Sequence, residues 1–243
     1  MTENITLLIL VKSSVKNVFL RDAIRNTWGA DLSKNIVLRF MLGFSVSHAE
    51  QTKLEDETYQ DVIVENFVDT YANNTLKTIM GFNWAVNECP TARAILFIDE
   101  DHLPRIDNIM DFLRSFNPEQ LDSLFCGIQI IMARAIRRKH RWSVPENVYE
   151  HKHWPPYLRG GSYVVSQKIA KRFTLAFPFV KYIHIDDSYL GIVALKLGII
   201  PRHDHRFQTN QNQLTKFKKQ FVYNDYKNPG VLKNAWKMIK ATT

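Results

Sequence analysis

The chain has 243 residues, 45% hydrophobic and 23% charged, values of a globular protein that exclude a disordered tail, a collagen or a coiled-coil rod. No apolar run approaches the roughly 18 residues of a membrane span, and Met1-Thr2-Glu3-Asn4 lacks the basic start of a signal peptide, so the expectation is a soluble chain or the soluble part of a longer one. Lys plus Arg number 32 against 24 Asp plus Glu, a formal charge of +8, which favours anionic partners; much of it lies in the run from Arg134 to Arg141 and in Lys216-Phe217-Lys218-Lys219, each of which, taken alone, reads as a solvated basic face.

In chain order, Ile5 to Val11 is a nearly continuous apolar run, the pattern of a strand buried on both faces of a parallel sheet. Val15 to Trp28 follows as a helix, with Gly29 as its stop. Ile36 to Leu42 is a second strand, Ala49 to Tyr59 a polar helix and Asp61 to Glu65 a third strand. Asn73 to Asn87 is a helix with Leu76, Ile79, Met80, Trp84 and Val86 as apolar members. Ala94 to Ile98 is a fourth strand, Ile106 to Phe116 a helix and Leu124 to Ile131 a further strand. Strand and helix alternate, which predicts an α/β fold: a mostly parallel central sheet with helices on both faces. The second half is less regular. Trp142 to Tyr157 holds three prolines in sixteen residues and reads as a loop or irregular hairpin. Ser166 to Leu175, Asp187 to Leu197 and Pro229 to Ile239 read as helices, with Pro229 allowed in a first turn. No linker interrupts the chain, so residues 1–243 are expected to form a single domain.

The chemistry-bearing residues begin with Asp99-Glu100-Asp101, directly after the fourth apolar strand. Ligands of open α/β sheets bind beyond the carboxyl ends of strands, and residues two apart share a side of an extended backbone. Two such carboxylates suit Mn²⁺ or Mg²⁺; the same triplet also suits a turn whose acids cap the next helix. Asp186-Asp187 precedes a helix, and either caps it or supplies a general base, because a buried carboxylate beside another has a raised pKa. Arg21 and Arg25 share a helix face and could meet a diphosphate; each, like Lys77, also fits an exposed helix cation. Gly160-Gly161 allows close approach to a ligand. His203-Asp204-His205 fits either a metal or an exposed turn. No phosphate-binding P-loop, dinucleotide fingerprint or nucleophile elbow is present. Cys89 and Cys126 exclude a disulfide scaffold and leave one bridge open. The sequons Asn4-Ile5-Thr6 and Asn73-Asn74-Thr75 fit a secretory glycoprotein.

Taken together, these blocks resemble glycosyltransferase family 31, the β-1,3-galactosyltransferases and β-1,3-N-acetylglucosaminyltransferases. Arg21-Asp22-Ala23-Ile24-Arg25-Asn26-Thr27-Trp28-Gly29 is similar to that family's R-x-A-I-R-x-T-W-G opening. Phe67-Val68-Asp69-Thr70-Tyr71 with Asn74-Thr75-Leu76-Lys77-Thr78 resembles its D-x-Y-x-N-L-T-L-K-T block. Asp99-Glu100-Asp101 falls at its metal-binding D-x-D, and Trp154-Pro155-Pro156-Tyr157 with Gly160-Gly161-Ser162-Tyr163 resembles its Y-P-P-Y-x-x-G-x-G-Y stretch. Asp186-Asp187-Ser188 stands in for Glu-Asp-Val. The resemblance runs from Arg21 to about Gly198. It implies the fold called GT-A, with residues 1–131 as a nucleotide-sugar-binding half and 132–243 as an acceptor-side half.

The implied activity is metal-dependent, inverting transfer of a hexose or N-acetylhexosamine from a UDP-sugar to a glycan hydroxyl on a glycoprotein or glycolipid, with no nucleic-acid partner. Asp99 and Asp101 would hold Mn²⁺ or Mg²⁺. Arg21, Arg25, Lys77, Asp99 and Glu100 would serve the donor, Asp187 would be the base, and Trp154, Tyr157, Gly160 and Gly161 would meet the acceptor. The implied location is the Golgi lumen, as the soluble part of a type II membrane protein. One departure stands out: the His that many members carry near the C-terminus is absent from Phe221-Val222-Tyr223-Asn224-Asp225-Tyr226, with Asp225, His203 or His205 as candidate replacements. That absence motivates a second reading, a non-catalytic binding module or folding partner. The charge motivates a third, a polyanion-binding protein.

Overall fold

The computed structural model describes residues 5–207, 209, 210, 214 and 218–241. Asn4 of the first sequon and Lys216 and Phe217 of the second basic run lie outside them. In chain order the elements are β1 (Leu7–Lys12), α1 (Val18–Arg25), β2 (Ile36–Phe44), α2 (Ala49–Tyr59), β3 (Val62–Val68), α3 (Asn74–Asn87), β4 (Ala94–Asp99), β5 (Leu103–Pro104), α4 (Ile106–Arg114), α5 (Pro118–Asp122) and β6 (Phe125–Ile130). There follow β7 (Tyr157–Ser166), α6 (Gln167–Ala176), α7 (Asp186–Lys196), β8 (Arg202–His203), β9 (Thr209–Asn210), β10 (Val222–Asn224) and α8 (Pro229–Lys240).

The main sheet runs β3-β2-β1-β4-β7-β6-β8. Its β1–β2, β1–β4, β2–β3 and β6–β8 pairs are parallel, whereas β7 runs antiparallel to both β4 and β6. The apolar run at the start of the chain is explained by this order. β1 lies inside the sheet and alternates between two cores: Leu8 and Leu10 pack on one face with Met80, Phe82, Phe173 and Val193, and Leu7, Ile9 and Val11 on the other with Ile24, Ile109, Leu113 and Leu232. The expected α/β layers are therefore present.

Three differences from the sequence reading have local causes. α1 is shorter than Val15 to Trp28, because Thr27 folds its hydroxyl back on the Ala23 carbonyl at 2.6 Å and Gly29 N–H bonds the Ile24 carbonyl. The long strand β7 escapes a pattern search because Arg159-Gly160-Gly161 interrupts its apolar alternation. A second sheet, β5-β10-β9, forms at the triplet's side of the molecule from strands of two or three residues, too short to show periodicity. Its β10 pairs antiparallel with β5, and Tyr226 N–H then bonds the Asp101 carbonyl at 2.8 Å, which ties the C-terminal segment to the acidic triplet. The Trp142–Tyr157 loop is pinned by short bridges, Arg134 to His153 and Ile136 to Ser143.

The Cys89–Cys126 bridge is not formed: both thiols are free and buried, and they belong to cores on opposite faces of the sheet. A thiol count on the denatured protein is expected to give two per chain with and without prior reduction; a count of zero before reduction would contradict this arrangement.

Candidate active site

Adjacent strands end together, and that assembles the site. In the β1–β4 register Lys12 stands beside Asp99, and antiparallel β7 carries Gly160 and Gly161 past the end of β4, where Ile98 pairs with Ser162. Lys12 is buried, with its ammonium 3.1 Å from Asp99 Oδ1, 3.0 Å from Asp186 Oδ2 and 2.7 Å from the Gly160 carbonyl. Burial alone would lower the Lys12 pKa; the charges of Asp186 and Asp99 overcome it and hold the group well above its ordinary value. The lysine stays an ammonium and clips three segments together.

The two uses left open for each acidic group are now distinguishable. The triplet does not cap α4, whose N-cap is Arg105. Asp186 and Asp187 do not cap α7; its N-cap is Ile185, without a side-chain bond, and the aspartates are its first two residues. Asp186 is committed to Lys12 and accepts from Thr78 Oγ1 at 3.1 Å. Asp187 accepts only local bonds, from Ser188 N–H at 2.6 Å and the Ser188 hydroxyl, and meets no cation directly among the described residues. Burial, and next the charge of Asp186, push its carboxyl up to about 6.

Asp99, Asp101 and His102 each offer one ligand atom, all within 4.8 Å of one another. Two carboxylates and an imidazole are a donor set that Mn²⁺ accepts, and the carboxylates suit Mg²⁺ as well, so the residues fit such an ion. His102 Nδ1 lies 2.8 Å from Asp101 Oδ1. Burial alone would raise the Asp101 carboxyl, and the bond and charge of His102 hold it below the usual range. Gly161 is required beside this cluster: a Cβ there would stand 2.8 Å from His102 Nε2. The imidazole of the cluster is thus His102, directly after the triplet. His203 instead accepts from Gln129 N–H, Asp204 pairs with Arg206, and Asp225 bonds Asn224. None of the proposed C-terminal replacements joins the cluster.

Two cavities flank Asp99. One, of about 720 Å³, is lined by Ser13, Ser14, Lys16, Asn17, Asp69, Lys77, Glu100, Asp101 and Lys227 among others. Here Glu100 accepts from Ser13, Asn17 and Ser14 N–H, and the Lys77 ammonium is held by the Ser13 carbonyl and Asp69, 2.9 Å away. The other, of about 530 Å³, is lined by Asp187, Trp154, Tyr157, Gly160 and Gly161 with Arg134, Trp142 and Arg159. Both include Lys12, Tyr71, Asn74 and Asp99.

Arg21 and Arg25 share a helix face as expected, but the face does not meet the cleft. Arg21 is fully buried and pairs with Glu55 at 2.6 Å. Arg25 pairs with Glu55 and Asp61, both at 2.7 Å. A glutamate buried on polar α2 pairs with both cations and Asp61 pairs with Arg25 as well, so neither is available for a diphosphate. Arg21 acts at one remove: it donates to Ser13 Oγ and to the Ser14 carbonyl, the loop that holds Glu100. Sequence reasoning overlooked Lys12, His102 and Asp69. The first had a usable signal, a charge closing a buried strand at the ligand-binding edge of the sheet; His102 abuts the triplet itself.

A family model described as "Galactosyltransferase" matches residues 20–205. "Beta-1,3-galactosyltransferase brn" of Drosophila melanogaster is 36% identical over 208 residues, covering 83% of this chain and 64% of that protein. The human "Lactosylceramide 1,3-N-acetyl-beta-D-glucosaminyltransferase" is 32% identical over 224 residues, 87% of this chain and 59% of that protein. "Beta-1,3-galactosyltransferase 1" of Mus musculus is 30% identical over 207 residues, 83% and 63% respectively. The chain therefore spans about three fifths of the length of these relatives. Among solved structures, the apo bifunctional glycosyltransferase WbbM aligns with a TM-score of 0.52 at 11% identity, covering 97% of this chain and 50% of that one, a likeness of fold that agrees with the GT-A expectation. Matched over most of its length by sequence and throughout by architecture, the chain belongs to the galactosyltransferase family, glycosyltransferase family 31.

Proposed function

We propose that this chain is the catalytic part of a metal-dependent, inverting transferase that moves a hexose or N-acetylhexosamine from a UDP-sugar to a glycan hydroxyl, forming a β-1,3 linkage. The observation that carries this reading is the pair of cavities meeting at Asp99. A cation-binding donor set faces one, and a carboxylate with a pKa of about 6 faces the other. A bound Mn²⁺ or Mg²⁺, held by Asp99, Asp101 and His102, supplies the positive charge that the departing UDP diphosphate requires.

The chain's own groups do the rest. Lys227 lines the larger cavity and adds positive charge for the diphosphate, Lys77 is tied to Asp69 beneath it, and Glu100 faces the donor ribose or sugar. Tyr157 offers flat apolar surface to the acceptor beside the largely buried Trp154, while Gly160 and Gly161 let it approach the backbone closely. Asp187 takes the proton of the acceptor 3-hydroxyl as that oxygen bonds the anomeric carbon from the face opposite UDP. The anomeric bond electrons leave with UDP, and one displacement inverts the centre. Asp186 is instead committed to Lys12 and Thr78. Apart from Lys227, the larger cavity is lined from residues 12–101, which supports a donor half in 1–131. The family resemblance further supports a Golgi-lumen setting and a membrane anchor outside the described residues, of which no helix is long and apolar enough to cross a membrane.

A screen of UDP-sugars with a β-galactoside acceptor tests the reading. UDP release is expected with Mn²⁺ present and is lost on chelation by EDTA. Calorimetry that detects binding of neither UDP nor Mn²⁺ would overturn it in favour of a non-catalytic module.

A further inference from the structure

The two oxygens of Asp187 are held unequally, and one neighbour makes the difference. Oδ1 accepts from Ser188 N–H at 2.6 Å and from the Ser188 hydroxyl at 3.3 Å. Oδ2 has no hydrogen-bond partner among the described residues, and the side chain lines the smaller cavity. Ser188 is itself buried, at 2% exposure. A buried hydroxyl takes its partners from the protein, and the acceptor that this one finds is the carboxylate beside it.

The packing of α7 fixes that hydroxyl. Ser188 and Gly191 stand one helical turn apart on the same face, and the face meets the start of β7. A Cβ on Gly191 would lie 2.6 Å from Tyr157 Cβ and 3.1 Å from the Pro156 carbonyl oxygen, so the missing side chain is what lets β7 close on the helix. Tyr157 thereby comes beside Ser188. Burial, then the charge of Asp187, push its phenol up to about 12, while Arg159 and the hydrogen bond with Ser188 act in the opposite sense. The next residue, Tyr189, is 1% exposed and donates to the Phe177 carbonyl at 3.3 Å, which anchors this turn from behind. The charged and titratable groups around Asp187 are Asp186 on its own helix, Lys12 from β1, Tyr157, Arg159 and Tyr163 from β7, and His184 from the segment before α7. The group that hydrogen-bonds the carboxylate is Ser188.

We propose that Ser188 is a positioning residue for the transfer: its buried hydroxyl, backed by Tyr157, occupies Oδ1 of Asp187 and leaves Oδ2 to take the proton of the acceptor hydroxyl. The inference rests on the transferase reading for the acceptor, whereas the hold of Ser188 on the carboxylate is a property of the folded chain alone. A hydroxyl that donates to a carboxylate favours its ionised form, and a carboxylate held in one orientation meets the incoming hydroxyl in one geometry. Ser188 is also the position at which Asp186-Asp187-Ser188 departs from Glu-Asp-Val, and a valine there would bring no donor.

Ser188→Ala removes the hydroxyl without adding volume. With a UDP-sugar, Mn²⁺ and a β-galactoside acceptor, kcat is expected to fall about tenfold while KM for either substrate changes less than about twofold. The acid limb of the pH profile is expected to move upward by about half a unit, because the ionised carboxylate has lost a donor. Ser188→Thr and Ser188→Val have the same shape and differ in the hydroxyl, so they separate its hydrogen bond from packing, also where the alanine variant unfolds by circular dichroism; threonine is expected to be at least about threefold faster than valine. A second readout needs no turnover. Carbon-13 NMR of the Asp187 carboxyl, identified by its disappearance in Asp187→Asn, is expected to titrate about half a unit higher in Ser188→Ala than in the wild type. An unmoved midpoint, or equal rates for threonine and valine, overturns the inference; UDP release by the wild type in that case leaves the transferase reading intact. The carboxyl shift in a protein that never releases UDP would support the hold on Asp187 and overturn the transferase reading instead.

Discussion

Asp187→Asn is expected to lower turnover in a UDP-release assay by about a thousandfold, within the range that a positioned general base supplies, while affinity for UDP and Mn²⁺ is retained. The physical reason is the unequal fate of two neighbouring carboxylates. Asp186 has its charge answered by Lys12 at 3.0 Å, whereas Asp187 is half-buried with only Ser188 as a partner. Burial and then the adjacent negative charge raise Asp187 to about 6, which keeps it mostly ionised at neutral pH yet makes it more basic than an ordinary carboxylate. Because the ionised form is the active one, kcat/KM is expected to rise with pH through a midpoint near 6 and to fall on the acid side. Asp186→Asn removes the neighbouring charge, so the midpoint is expected to move to lower pH. An Asp187→Asn enzyme with near wild-type turnover, or an acid limb that ignores both substitutions, would remove Asp187 from the base role.

The second large effect concerns stability. Glu55→Gln is expected to destabilise the fold by about 3 kcal/mol or more, the cost of leaving a buried charge without its partner. Glu55 Oε1 accepts from Arg21 Nε and Arg25, and Oε2 from Arg21 Nη2, at 2.6–2.7 Å. The amide keeps the shape, removes the charge and points N–H groups at a guanidinium that is 0% exposed. Burial alone would raise the Glu55 carboxyl, but the bonds and charges of Arg21 and then Arg25 hold it below its ordinary value. Its contribution is therefore complete above the unfolded-state pKa of about 4.3 and is lost as pH falls through the lower folded value. Urea unfolding at neutral pH measures the effect; a loss under about 1 kcal/mol would mean that the network is not the keystone of the α1–α2 contact. Because Arg21 also holds the Ser13–Ser14 loop behind Glu100, the same variant is expected to bind UDP less tightly.

The Asp99–Asp101–His102 cluster, proposed to hold the cation, shows how local a sequence signal can be. Asp99 and Asp101 were legible because a buried strand delivers them at the ligand-binding edge. His102 adjoins the triplet in sequence, but its place beside Asp99 and Asp101 depends on the close approach of Gly161 on a strand that runs against the others. Arg21 and Arg25 erred the other way. Their spacing on one helix face was right, yet spacing names no partner, and the partner is a glutamate thirty or more residues away on a helix whose sequence is otherwise polar.

What the sequence determined by itself is the layered α/β plan, the positions of the acidic pairs and the family, because buried strands, helix periodicity and ordered motifs are each written in neighbouring residues. Tertiary structure alone decided which of the two neighbouring aspartates pairs with Lys12, that Arg21 and Arg25 are tied into ion pairs, and that Lys12 lines both cavities. Those outcomes follow from strand order, above all from β7 inserted antiparallel between β4 and β6. Burial and pairing across 148 and 174 residues of chain depend on which segments become neighbours, and that is fixed only when the whole sheet closes around its core.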